Sequence, residues 1–225
     1  MSMPTAADAL VADAAHAPAA RPRAQLAQPP LPPLLVVADS AETGGRPLDW
    51  VVARAVAGGA RAFWLRDKDC QPWQRRQTLG LLVEIVHSAG GVVLASPGPG
   101  SELADGFHLG AALSWPRAAP ASGPWPMVGR SCHSRAELDR AAAEGCQWAT
   151  LSPIFVPTSK PGYGPALGAG AVAGAPLPVW ALGGIGPTNA GDCLRAGASG
   201  VAVMGAILRA EDPAEAVAAI QERLR

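Results

Sequence analysis

The chain has no surplus of charge of either sign: 18 Lys and Arg residues balance 18 Asp and Glu residues over a length of 225. That balance excludes the basic field that draws a protein to nucleic acid, and no acidic tail is present. No unbroken apolar run approaches the roughly 18 residues that a membrane span needs. The N-terminus lacks the apolar core of a signal peptide, so a cytoplasmic protein without membrane contact is expected. Paired cysteines are missing too. Cys70, Cys132, Cys146 and Cys193 follow no CxxC spacing and read as reduced, mostly buried thiols rather than zinc ligands.

What the chain does have is apolar and turn-forming material: 49% hydrophobic residues, 26 Gly and 23 Pro. That suffices for the core of one domain with many tight connections. Residues 1–32 are rich in Ala and Pro without a strong period and read as a flexible extension. From Leu34 on, short β-rich runs alternate with helix-like stretches, so residues 33–225 are assigned to the folded domain. The runs are LLVVAD (34–39), AFWLR (62–66), GVVLAS (91–96), GFHLG (106–110), MVGRS (127–131), WATLS (148–152), PVWALGG (178–184) and GVAVMG (200–205). Continuous apolar runs suit parallel strands covered on both faces. Eight βα units predict a single-domain (β/α)8 TIM barrel, with a doubly wound open sheet as the competing architecture. The connection after the sixth run is too dense in Gly and Pro for a regular helix, which marks a functional loop at the barrel mouth.

In such a barrel, chemistry belongs at the C-terminal ends of the strands. There, Gly183 and Gly184 precede a helix start at Pro187, and Met204 and Gly205 precede a predicted short helix at Ala206 to Arg209. Glycine-freed amides beside helix starts suit a phosphate, although the same glycines could serve only close packing. Arg66 and Lys68 alternate after the second run, where two cations would need an anionic partner or open solvent. Thr158, Ser159 and Lys160 cluster in the long loop as weaker phosphate or pyrophosphate contacts. His133, flanked by Ser131 and Cys132, sits where the fifth run hands over to an amphipathic helix. Histidine can both give and take a proton near neutral pH, which makes His133 the candidate acid/base group and His108 the second choice. His87 lies on a helix and is expected to face solvent or pack.

The segments WLRDK, FHLG, GRSCHS, LSPIFVPTSKPGYGPALG and ALGGIGPTNAGDCLRAGASGVAVMGAI, in that order, resemble the thiamine phosphate synthase/TenI family over about residues 34–225. The resemblance implies a (β/α)8 barrel acting on thiazole phosphate in thiamin biosynthesis. Two activities are known in the family. The synthase joins a pyrimidine pyrophosphate to thiazole phosphate with magnesium; the TenI type aromatises a carboxythiazole phosphate by moving a proton, without metal. The resemblance implies a phosphate at Gly184 and Gly205, a carboxylate or polar edge at Arg66 and Lys68, and acid/base work for His133.

This chain departs from the synthase pattern at two loops. Ser96-Pro97 stands where that pattern has Asn-Asp, and Ala111-Ala112-Leu113 stands where it has Gln and an acidic metal ligand. Magnesium demands oxygen ligands, which Ala and Leu lack. The sequence therefore favours a tautomerase with no cofactor and no metal ligand. The alternatives are a synthase, which would use magnesium and draw ligands from Asp39, Asp67 or Asp69, and a non-catalytic phosphate-binding or regulatory barrel. The expected partner is a small phosphorylated thiazole; a homodimer is left as an option.

Overall fold

The computed structural model describes residues 31–67, 70–113, 127–156 and 165–225. The expected flexible extension lies outside them, apart from its last residues. Eight strands run β1 (Leu34–Ala38), β2 (Ala62–Leu65), β3 (Val92–Ala95), β4 (Gly106–Leu109), β5 (Met127–Cys132), β6 (Trp148–Leu151), β7 (Val179–Leu182) and β8 (Gly200–Val203). Each expected apolar run contains its strand except the fifth, where β5 runs one residue further, to Cys132. The strands pair in parallel in chain order, and β1 pairs with β8 through Leu34 and Val201, so the sheet closes into a barrel. That closure rules out the open sheet.

Helices α1 (Leu48–Ala57), α2 (Pro72–Ser88), α3 (Arg135–Ala143), α4 (Ala190–Arg195), α5 (Gly205–Leu208) and α6 (Pro213–Glu222) pack outside the barrel. Two connections carry only 3-10 turns among the described residues, Ser101–Leu103 after β3 and Ala169–Val172 after β6. After β3 the sequence Pro97-Gly98-Pro99-Gly100 explains this, because proline removes an amide donor and glycine raises the entropy cost of helix.

The period-2 alternation of each strand separates two cores. Val36, Phe63, Leu65, Ala149 and Val201 face the helices. Leu35, Val37, Trp64, Trp148, Trp180 and Ala202 fill the barrel interior. Tight packing there demands small partners for the large rings. A Cβ on Gly129 would lie 2.1 Å from Trp148 Cε2, and one on Gly200 would lie 2.3 Å from Trp180 Nε1. The base of the barrel is closed by the segment preceding β1. Leu31 is buried among the interior residues, Trp180 Nε1 donates to the Pro32 carbonyl at 3.0 Å, and the Val201 amide donates to the Pro33 carbonyl at 2.7 Å. Among the described residues packing thus already includes Leu31, two residues before the expected start of the domain at 33.

Candidate active site

A cavity of about 760 Å³ opens at the C-terminal ends of the strands, lined among others by Trp64, Arg66, Arg75, Ser131, His133 and Gly183. Its size is within the range of small-molecule sites. The alternation that turns Gly129 and Ser131 of β5 inward continues to His133, one residue past the strand end. Two features fix this residue. Its amide donates to Glu137 Oε2 at 2.6 Å, while the next residue, Ser134, caps α3 by accepting from the Glu137 amide. Its ring Nδ1 lies 2.8 Å from the Ser152 carbonyl oxygen and 3.2 Å from Ser152 Oγ. A carbonyl only accepts, so Nδ1 carries the hydrogen and Nε2 is left as the basic nitrogen of the neutral ring. The imidazole is exposed at the cavity wall with a defined tautomer.

Gly183 and Gly184 follow β7 with φ of +96° and +64°, conformations that an L side chain rarely adopts. The loop after β6 also presses on them. A Cβ would meet Pro153 Cα at 3.0 Å from Gly183 and the Phe155 carbonyl oxygen at 2.8 Å from Gly184. Gly183 accepts from the Phe155 amide at 3.0 Å, which ties the two loops together. Asn189 braces the turn, donating to the Gly184 carbonyl and accepting from the Gly186 amide, both at 2.9 Å. Gly186 in turn lies beside Ala206, since its Cβ would stand 3.8 Å from that of Ala206. Met204, at the N-cap of α5, lines the cavity, and no side chain caps the helix. Gly183 and Met204 therefore border one space, with Gly184 and Gly205 next to them in the chain. The predicted short helix is present one residue earlier than expected.

Arg66 is less free than its sequence position implies. Its Nη1 pairs with Asp39 Oδ2 at 2.6 Å, and Asp39 is 6% exposed. Both oxygens of Asp67 are engaged by Ser40, through its amide at 2.6 Å and its hydroxyl at 2.8 Å. The anionic partner expected for a cation at the cavity is thus supplied from within the chain. Lys68, Thr158, Ser159 and Lys160, with Asp69, lie outside the described residues.

His108 occupies a different place from the one expected of a substrate contact. It is fully buried, its ring stacked 3.8 Å from that of Trp64 and tilted 4.9 Å from that of Trp148, with Nε2 at 3.1 Å from Thr150 Oγ1. Trp64 lines the cavity and His108 stands behind it. His87 pairs with Asp105 at 2.9 Å on the outer surface. Two buried arginines went unnoticed in the sequence. Arg130 pairs with Glu144 at 2.6 Å and donates to the Leu113 carbonyl at 2.7 Å, holding the loop after β4 against the barrel. Arg75 of α2 reaches the loop after β3, donating to the Pro99 and Ser96 carbonyls at 2.6 and 2.5 Å.

A family model described as thiamine monophosphate synthase (TMP-TENI) matches residues 34–207, from the first strand into α5. The chain belongs to that family. Among curated relatives, a putative thiamine-phosphate synthase of Geobacter sulfurreducens is 34% identical over 195 residues, covering 83% of this chain and 92% of the relative. A thiamine-phosphate synthase of Methanoculleus marisnigri is 35% identical over 199 residues, covering 85% and 94%. Among solved structures, thiamine phosphate pyrophosphorylase from Pyrococcus furiosus superposes with a TM-score of 0.70 at 23% identity, covering 85% of this chain and 94% of that one. That likeness supports the fold.

Magnesium, implied by the synthase members of the thiamine monophosphate synthase family, can be tested against the donors present. The loops after β3 and β4 face the cavity with Ser96, Pro97, Ala111, Ala112 and Leu113, none of them a carboxylate. Asp39 is paired with Arg66, and both oxygens of Asp67 serve Ser40. Among the described residues no group of three His, Cys, Asp or Glu side chains could hold a metal ion. Among the described residues, which leave out Asp69, this donor set does not fit a hard divalent cation.

Proposed function

We propose that this barrel acts on a thiazole phosphate in thiamin biosynthesis, and that the first reaction to test is the one its relatives are named for. That reaction joins a pyrimidine pyrophosphate to the thiazole to give thiamine phosphate. The observation that carries this reading is the likeness to proteins named thiamine-phosphate synthase, 34% and 35% identical over 92% and 94% of their lengths. The site is compatible with it in part. Glycine-rich loops after β7 and β8 suit the thiazole phosphate, and Arg75, with Arg66 paired to Asp39, lines the same cavity. No step is assigned to a metal, because the donors described do not match one.

A second reading, the proton shift that aromatises a carboxythiazole phosphate, is favoured by a specific observation. His133 is held as the Nδ1–H tautomer by the Ser152 carbonyl, which leaves Nε2 as a base at the cavity wall. A proton shift needs one such positioned group and no carboxylates on the loops after β3 and β4.

One assay separates these readings: purified protein offered both substrate sets, with magnesium and with a chelator. Magnesium-dependent formation of thiamine phosphate supports the first. Chelator-resistant aromatisation of the carboxythiazole supports the second and removes the first if no thiamine phosphate forms. Binding of thiazole phosphate without turnover of either set overturns both and leaves a non-catalytic binder.

A further inference from the structure

Of the two arginines buried among the described residues, Arg130 has a carboxylate partner there and Arg75 has none. Arg75 is 5% exposed and lines the cavity. Among the described residues its neighbour Arg76 takes Glu102, and the carboxylate of Asp67, which lines the same cavity, is held by Ser40. The two carbonyls that Arg75 meets use two of the five N–H donors of a guanidinium, and no carboxylate among the described residues pairs with it directly. A buried cation without a counter-charge is costly, and a cation that keeps such a place beside a cavity is poised for an anionic ligand.

The surroundings hold it in position. Ser96 is gripped twice, by Arg75 through its carbonyl and by Trp64 Nε1 through its hydroxyl at 3.1 Å. The loop that Arg75 grips follows β3, whereas Gly183 follows β7, four strands away round the closed barrel. The two groups border one cavity from opposite sides.

We propose that Arg75 receives a second anionic group of the ligand, across the mouth from the phosphate at Gly183 and Met204, and so selects ligands charged at both ends. The inference rests on the reading that the cavity takes a thiazole phosphate. The second group is a carboxylate on the thiazole or a pyrophosphate beside it; both offer paired anionic oxygens to the guanidinium fork.

Calorimetric titration in chelator tests this with three probes: thiazole phosphate, carboxythiazole phosphate, and inorganic pyrophosphate added to protein saturated with thiazole phosphate. Wild type should bind carboxythiazole phosphate about tenfold more tightly than thiazole phosphate, or bind pyrophosphate as a measurable third component. The first outcome identifies the carboxylate as the source and the second the pyrophosphate. Arg75→Gln should abolish that gain and leave thiazole phosphate affinity within about threefold, and Arg75→Lys should retain part of it. Equal weakening of all probes in a folded Arg75→Gln protein would mean that Arg75 only supports its loop, and the proposal falls. It falls on wild type alone if neither second anion is bound, whatever the variants do. Failure of thiazole phosphate to bind would instead remove the functional reading, while an Arg75-dependent site for pyrophosphate would still stand.

Discussion

At the scale of single residues, His133 carries the sharpest expectation. With Nδ1 committed to the Ser152 carbonyl, the ring has one nitrogen for proton transfer. If the proton shift is the reaction, His133→Ala should lower kcat by about a hundredfold or more while thiazole phosphate affinity stays nearly unchanged. Steady-state rates beside calorimetric affinities check this; parallel loss of both would make the residue structural. The thiols give a second expectation. Burial pushes the Cys132 thiol up to about 12 and the Cys193 thiol up to about 11, so neither is a thiolate at neutral pH. Cys146 is also buried and raised by desolvation. Cys70 is raised as well, first by desolvation and then by Asp67, but it is partly exposed and lines the cavity. A thiol reagent should therefore label one cysteine per native chain, slowly, and saturating ligand should protect it. Rapid labelling of two or more would overturn the burial argument. His133 was legible in the sequence because a strand end and a helix start bracket it. The Asp39 partner of Arg66 was not, since 27 residues separate the two and no local period links them. Arg75 left a trace that went unread: it falls on the buried stripe of α2 with Leu79, Leu82 and Val86, at helical spacing.

Among elements, the joint between α1 and α6 gives a pH prediction. Arg54 of α1 bonds Asp212, the N-cap of α6, at 2.7 Å, and the Ala214 amide bonds it at 2.8 Å. These bonds, the arginine's first, hold the carboxyl of Asp212 below its usual range. A carboxyl lowered in the folded state adds stability above its unfolded pKa, and that contribution is lost as pH falls through the lowered folded value. Asp212→Asn should therefore lower Tm at neutral pH and close the gap to wild type in acid; a constant gap would refute the linkage. The strands were readable as elements because each is short, mostly apolar and bounded by turn residues. The connection after β6 was readable because its glycines and prolines are too dense for a regular helix. Which loop leans on which was not, because contacts such as Phe155 against Gly184 depend on the barrel closing first.

For the whole molecule, the segment from Leu31 to Pro33 is the predictive feature. Leu31 fills the base, and Pro32 and Pro33 accept hydrogen bonds from Trp180 and Val201. A chain beginning at Leu34 should be less stable than one beginning at Leu31 by about 3 kcal/mol or more, through loss of a buried leucine and two hydrogen bonds. Denaturant unfolding of the two truncations measures the difference, and equal midpoints would contradict it. The same plug governs traffic. With Leu31, Trp148 and Trp180 filling the lumen, nothing can pass through the barrel from mouth to base. Among the described residues, arrivals and departures share the doorway at the mouth, so a ligand that lingers there bars the next one.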